Sequence, residues 1–197
     1  MNSPEIRIDA TGSELLSVTD VKDYAGISGT GRDDQINMMI PAVRELQEQW
    51  TRCSFVPKAL TAQWAKGDYA DGLFLPFGPV ISIDSVKRVH DDQTLSDALV
   101  EGTDWYKAGL DFPWIHFYKK WTSAGKVVTG MRIQYSVGWG YGSGEGPLPD
   151  PIKTAMLRHI TTDILNLDEP DSWRPVLYDW VKAALAPYRR GEELAWF

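Results

Sequence analysis

Three stretches of the chain carry apolar residues at spacings of three and four, the period of one face of a helix. Together with a shorter opening segment, they predict helices over residues 17–26, 33–53, 150–167 and 172–186. Ser17 followed by Asp20 is typical of a capping box, and Gly26 is typical of a helix end. Pro41 lies inside the second helix, where it removes a backbone donor and is expected to kink the helix or end its first part.

Residues 57–138 show a different pattern, in which short apolar runs alternate with glycine, proline and aspartate-rich turns. This pattern predicts strands separated by tight connections. No stretch with the length and period of a helix lies between the runs, so a parallel sheet with crossover helices is not expected. The section therefore predicts a set of antiparallel strands.

The predicted fold class is α+β, with the N- and C-terminal helices packed as a small bundle and the antiparallel β section inserted between them. The helices are expected to pack together because neither terminal pair can bury its apolar face alone. A chain of 197 residues fits one domain. We expect a flexible N-terminal arm of residues 1–16, a single domain of residues 17–190 and a C-terminal tail of residues 191–197.

The composition is that of a globular protein, with 43% hydrophobic and 24% charged residues. The net charge of −7 lacks the basic footprint of a protein that grips duplex DNA. A single cysteine excludes an internal disulfide framework and fits a reducing cytosol. The sequence shows no signal peptide and no apolar run of about 18 residues, so we expect no membrane span.

The residue types that carry chemistry form no recognisable constellation. His90, His116 and His159 are far apart in the sequence, and Cys53 lies on the apolar face of a predicted helix. None of these shows metal-ligand spacing. The glycine-rich residues 138–146 match no phosphate-binding pattern and predict a flexible loop. The sequence therefore predicts no catalytic residues, no metal and no cofactor, and a small hydrolase has no positive support.

Nine tryptophans in 197 residues are the unusual feature of the composition. Strand alternation places Trp114, His116 and Tyr118 on one face and Ile115 and Phe117 on the other. Trp-rich surfaces are common in obligate assemblies, so we interpret the cluster as core and subunit interface. The alternative is a sugar-stacking platform. The densest cluster comprises Trp105, Tyr106, Phe112, Trp114, Phe117, Tyr118 and Trp121.

Several segments, taken in order, resemble the head–tail connector proteins, or head-completion adaptors, of tailed double-stranded DNA phages, prophages and gene transfer agents. The resemblance spans about residues 16–190. Each motif is weak alone, and their order and spacing make the resemblance specific. The segments are LSVTDVK (16–22), DDQI (33–36), AVRE (42–45), LPFGPVISIDSV (75–86), GTDWY (102–106), RIQYSVGWG (132–140), PDPIKTA (149–155) and LAPYRR (185–190).

This resemblance implies a structural adaptor rather than an enzyme. Members of the family form a ring, usually of twelve subunits, beneath the portal vertex of the virion, where they extend the DNA channel. The implied partners are the portal protein, a tail-side connector (stopper) protein, neighbouring copies and double-stranded DNA that passes without tight binding, with no membrane. The chain would be made in the host cytoplasm and act at the head–tail junction. The alternative is a Trp-rich carbohydrate- or receptor-binding virion module.

The end of the sequence is unusually apolar for a chain terminus. We expect it to dock onto a neighbouring subunit or the portal, with aromatic anchors and with arginines that pair with carboxylates. Folding back onto the chain's own core is the other interpretation. The predicted partner-binding residues are Tyr188, Arg189, Arg190, Leu194, Trp196 and Phe197.

Overall fold

The computed structural model of the chain describes residues 4–65, 72–109, 114–118, 127–139, 147–166 and 173–190. The N-terminal half contains β1 (Glu5–Thr11), α1 (Val18–Ala25), α2 (Asp33–Thr51), β2 (Lys58–Ala65), β3 (Leu73–Phe74) and β4 (Val80–His90). The remainder contains β5 (Trp105–Ala108), β6 (Trp114–Phe117), β7 (Val128–Val137), α3 (Asp150–Leu165), α4 (Asp179–Leu185) and a 3-10 turn (Ala186–Tyr188).

The strands form two antiparallel sheets, one of four strands in the order β1-β2-β7-β4 and one of three in the order β3-β6-β5. Alternate residues of β7 point into an apolar core that both sheets share. The opposite face of the four-stranded sheet is polar, and Arg132 on β7 donates to Gln63 on β2. The sandwich core comprises Leu60, Ala62, Trp64, Leu73, Leu75, Val80, Val86, Trp105, Ile115, Met131, Ile133, Tyr135 and Val137.

A second, separate core lies among the helices, where α1, α2 and α4 each contact α3. Its first helix begins as expected, because the Ser17 hydroxyl accepts from the Asp20 N–H and the Asp20 carboxylate accepts from the Ser17 N–H. The helix ends at Gly26 in the left-handed region. The helix α2 runs through Pro41 without ending there. Helices α1, α2 and α3 lie within the ranges that the sequence predicts.

The α+β class is correct, but the predicted arrangement of a terminal helix bundle with an inserted β section is wrong. The described chain begins with a strand, because β1 pairs with β2 along the edge of the four-stranded sheet. Residues 5–11 of the predicted arm therefore belong to the sheet, with Ile6 opposite Ala62 and Ile8 opposite Leu60. The strands also form two sheets that share a hydrophobic core of their own, which the predicted arrangement of one inserted β section did not include.

The last helix is shorter than the sequence predicts. Residues 173–178 lie outside any helix or strand, and α4 begins only at Asp179. Pro175 disfavours helical geometry at the residue before it. The segment is held on α3 because Trp173 Nε1 and the Tyr178 hydroxyl both donate to the Asp163 carboxylate, at 3.0 and 2.8 Å. Residues 140–146 of the predicted loop, residues 167–172 and residues 191–197 lie outside the described residues.

Candidate partner-binding site

The segment 186–190 returns the chain from the helices to the end of α2. Leu185 is buried in the helical core, and the 3-10 turn follows it. The backbone N–H of Arg190 then donates to the Thr51 carbonyl at 3.0 Å. The predicted partner-binding residues at 188–190 therefore sit at the boundary between the helical core and the sandwich core.

Tyr188 is half-buried in this boundary. Its ring meets Trp139 edge-on, with 6.5 Å between the centroids, and Trp139 lies 6.1 Å from the ring of Phe55. The Tyr188 carbonyl accepts from the Cys53 thiol at 3.2 Å. Tyr188 thus packs within its own subunit and keeps part of its ring accessible.

Arg190 is buried, with 7% of its surface exposed. Its guanidinium donates to the carbonyls of Leu75 and Phe77 and lies 4.0 Å from the centre of the Phe74 ring. Burial lowers the pKa of Arg190 to about 10, so the side chain still carries its charge at neutral pH. Arg190 therefore ties the end of the described chain to the loop that follows β3.

The Arg189 side chain, unlike that of Arg190, lies on the surface of the subunit. It is exposed, and its guanidinium lies 5.0 Å from the centre of the Trp50 ring on α2. The two arginines of the predicted site are thus in different environments. Leu194, Trp196 and Phe197 lie outside the described residues, so the structure does not show whether they join Tyr188 and Arg189.

Replacing Arg190 with alanine should lower the free energy of unfolding by about 2–3 kcal/mol, because two carbonyls lose a charged donor and a packed side chain disappears. Arg189→Ala is the matched control and should cost less than about 1 kcal/mol, the value of an exposed cation–π contact. Urea denaturation of both variants measures the difference. Equal losses would show that Arg190 does not have the structural role described above.

A buried ion network, which the sequence analysis missed, lies beside this segment. Glu48 on α2 is 3% exposed, and its carboxylate accepts from Arg44 Nη1 and Lys58 Nζ, each at 2.6 Å, and from the backbone N–H of Phe55 at 2.6 Å. Burial alone would lower the pKa of Arg44, but the carboxylates of Glu14 and Glu48 raise it overall. The network fixes the end of α2 against the start of β2.

Five aromatic side chains form a continuous row on the outer face of the three-stranded sheet. Successive ring centroids are 5.2, 6.3, 5.1 and 5.1 Å apart, and the rings of Tyr106 and His116 are stacked. The alternation expected for β6 is confirmed, since Ile115 is fully buried and Phe117 packs against the sandwich core. In spatial order, the aromatic row is Phe74, Trp114, His116, Tyr106 and Tyr118.

The residues considered for catalysis lie in separate places. Cys53 is fully buried, and burial raises the pKa of its thiol to about 12, which removes the thiolate needed of a nucleophile at neutral pH. His159 is fully buried between the helices, 3.1 Å from Gln47 Nε2, and burial lowers its pKa. Within the described ranges, no three metal-ligating side chains lie close enough together to hold an ion.

Comparison with known proteins identifies the family. Residues 14–160 match the family model described as head completion protein. The chain belongs to the head completion protein family. The resemblance found in the sequence is therefore confirmed over most of its span. A comparison with curated proteins finds no match.

Solved structures of similar fold come from gene transfer agent particles. One is the neck of an empty particle computed with C6 symmetry, with a TM-score of 0.69, 13% identity and coverage of 95% of this chain and 96% of that chain. A second is the virion of a native particle, with a TM-score of 0.73, 15% identity and coverage of 95% and 96%. A third is a native neck computed with C12 symmetry, with a TM-score of 0.57, 12% identity and coverage of 94% and 96%.

The family also bears on where this head completion protein acts. Its predicted location, the head–tail junction of a virion, agrees with the family and with the particle parts that these structures represent. Across the part of the chain that the structure describes, no helix has the length and apolar character needed to cross a membrane.

Proposed function

We propose that this head completion protein is a structural adaptor that joins the head of a tailed particle to its tail. The observation that carries the proposal is the family match over residues 14–160. The fold shared with gene transfer agent necks supports it. In this role the chain binds other virion proteins and catalyses no reaction.

The finer proposal is a ring beneath the portal vertex that extends the DNA channel and presents a platform to the tail-side stopper protein. The necks of similar fold were computed with C6 and C12 symmetry, which supports a ring for this chain. A ring of identical subunits needs two different complementary surfaces on each copy. Twelve copies is the number that the family resemblance implies.

Deleting the gene and imaging the particles tests the adaptor role. An adaptor is required to join two finished structures, so we expect DNA-containing heads and separate tails. Complementation with the intact chain should restore joined particles. Tailed particles that fail only to adsorb to cells would contradict this function and support receptor binding instead.

The isolated protein should bind duplex DNA weakly. Its net charge is −7, and a basic channel wall would slow the passage of DNA. Fluorescence anisotropy with a labelled duplex at low and moderate salt measures this, with a basic DNA-binding protein as the positive control. Tight binding that falls steeply with added salt would refute the proposed neutral or acidic channel surface.

We propose that Tyr188, Arg189 and the apolar side chains of residues 191–197 contact the portal or a neighbouring subunit, whereas Arg190 supports them from inside the fold. The double variant Trp196→Ala/Phe197→Ala should abolish portal binding in a pull-down, because two aromatic anchors are lost. Its free energy of unfolding should change by less than about 1 kcal/mol. Leu165→Ala, at a 65% exposed position on α3, is the control and should bind normally.

The same double variant can contradict the proposal in two ways. A large drop in melting temperature would place residues 191–197 in the subunit's own core. Normal portal binding and normal assembly would exclude both the partner contact and the core contact.

The aromatic row supports an alternative function, a carbohydrate- or receptor-binding surface. Tyr106 and Tyr118 are 39% and 55% exposed, and Trp114 is half-buried beside them. Sugar stacking requires free ring faces, whereas the stacked Tyr106 and His116 rings cover each other's faces in part. A glycan array decides the matter: saturable binding lost in Trp114→Ala would favour the carbohydrate function. Trp121, another tryptophan of the aromatic cluster found in the sequence, lies outside the described residues.

A further inference from the structure

The four-stranded sheet has one edge that its own chain covers and one edge that is open. Residues 94–99 lie along the outer side of β4, where the Leu99 N–H donates to the Val86 carbonyl at 2.8 Å. The opposite edge is β1, and all seven of its residues are exposed. Among the described strands, only β2 pairs with β1. The outer side of β1 can therefore accept a further strand.

The three-stranded sheet also has an open edge, on the other side of the sandwich. Its last strand, β5, pairs with β6, and among the described residues only a single bridge, at Trp105, lies on its outer side. Trp105 Nε1 donates to the carbonyl of Leu99, the same residue that bonds to β4. Consequently β5 lies on the β4 side of the sandwich, and β1 lies on the opposite side. Each subunit thus carries two different open edges, as a head-to-tail contact requires.

The inner face of β1 is apolar, but the other sheet does not fully cover it. Ile6 and Ile8 lie opposite Ala62 and Leu60, which are buried in the sandwich core. Ile6 is nevertheless 36% exposed and Ile8 54%. On β5, Tyr106 is 39% exposed on the outer face of its sheet. If neighbouring copies keep the same orientation, joining the two edges brings the isoleucines and Tyr106 to the same face of one continuous sheet.

The charged residues of the two edges favour one register. An antiparallel pairing that places Ile6 opposite Tyr106 also places Glu5 opposite Lys107 on the other face of the joined sheet. Both charged side chains are exposed. Opposite charges at opposed positions stabilise a strand pair, and like charges destabilise it. A shift of two residues would instead place Arg7 opposite Lys107, so the first register is the complementary one.

We propose that β1 of one copy pairs with β5 of a second copy, so that the four-stranded sheet of each subunit continues into the three-stranded sheet of its neighbour. Main-chain hydrogen bonds hold the two strands together, and the side-chain pairs Ile6–Tyr106 and Glu5–Lys107 fix their register. Repeated from subunit to subunit, this contact closes the ring, and in that respect it rests on the proposed function. The contact also covers Tyr106 in the aromatic row.

Charge exchange tests the pairing in particles made without the native gene. Glu5→Lys and Lys107→Glu each place like charges opposite one another, so each should reduce joined particles at least about tenfold. The double variant Glu5→Lys/Lys107→Glu should restore them, as should co-expression of the two single variants, whose alternating copies supply opposite charges. Asp23→Lys, at an exposed position on α1, is the control and should join particles normally. Melting temperatures verify that every variant folds.

Cross-linking reads the contact without reference to joining. In purified particles, Glu5→Cys/Lys107→Cys treated with a short bis-maleimide should give a ladder of more than two linked chains, because each copy contacts two neighbours. Either single cysteine variant should give no ladder, since the native Cys53 is fully buried.

Three outcomes would overturn the proposed pairing. Normal joining by both single charge variants excludes the register, and so does failure of the folded double variant to restore joining. A ladder that is absent, or that stops at two chains, in particles that contain the protein excludes a head-to-tail β1–β5 contact and leaves the adaptor function standing. Particles that lack the protein altogether would refute the adaptor function, and the ring contact with it.

Discussion

Replacing Glu48 with alanine should lower the free energy of unfolding by about 3–5 kcal/mol, because it removes the buried carboxylate on which two cations and a backbone N–H converge. The Arg44 guanidinium, which is 3% exposed, would keep only Glu14 and Glu45, and the backbone N–H of Phe55 would lose its 2.6 Å acceptor. Lys58 would also lose its 2.6 Å partner. Glu48 connects the end of α2 to the start of β2. Its loss should therefore destabilise both the helical core and the sandwich core.

Urea denaturation followed by circular dichroism measures this effect. Glu45→Ala is the matched control, because Glu45 also contacts Arg44 but its side chain is 61% exposed. That substitution should cost less than about 1 kcal/mol, the usual range for an exposed ion pair. If Glu48→Ala costs no more than Glu45→Ala, the buried network contributes nothing to stability and the explanation above is wrong.

Gly138→Ala is the second substitution with a large expected effect, a loss of about 3 kcal/mol or more from combined backbone strain and steric conflict. The φ angle of Gly138 is 114°, and a Cβ there would lie 2.2 Å from the Val56 carbonyl oxygen. The conflict is with backbone on a neighbouring segment, so no side-chain rotation relieves it. The Gly138 N–H also donates to the Pro79 carbonyl at 2.8 Å, which fixes the position of the strand end.

Soluble yield and melting temperature of Gly138→Ala provide the measurement. Gly102→Ala separates backbone strain from the clash, because Gly102 also has a positive φ of 81° but nothing lies within 4 Å of its Cβ position. The control should lose about 1 kcal/mol from the left-handed conformation alone. Similar losses of stability in the two variants would mean that the backbone at residue 138 can move away from the Val56 carbonyl at no cost in free energy.

Local patterns in the sequence were sufficient for the elements with strong periodicity. The capping box at Ser17, the long apolar face of α2 and the alternation of β6 each depend on neighbouring residues. The strand β1 was missed although Glu5-Ile6-Arg7-Ile8-Asp9 alternates, because so short a signal becomes a strand only when an edge is available for pairing. The edge of β2 supplies it, about fifty residues away in the sequence.

The candidate site shows the same division between local and distant information. An Arg-Arg pair predicts a charged surface, and this holds for Arg189. Arg190 is buried, and its guanidinium donates hydrogen bonds to the carbonyls of Leu75 and Phe77, more than a hundred residues earlier in the chain. The role of Glu48 was equally hidden, since a glutamate inside an amphipathic helix gives no sign that Lys58 and the Phe55 N–H converge on it.

The separation of the helical and sandwich cores bears on how such a protein can change over time. Packing residues influence one another mainly through direct contact, and substitutions at distant sites have nearly additive effects. Val43 and Ile133 belong to different cores, so each set of packing residues is free to drift without compensation by the other. Correlated changes should instead concentrate where the two cores meet, around Glu48, Gly138 and Arg190. A lineage could thus remodel its sheets for a new neighbour while its helices stay as they were.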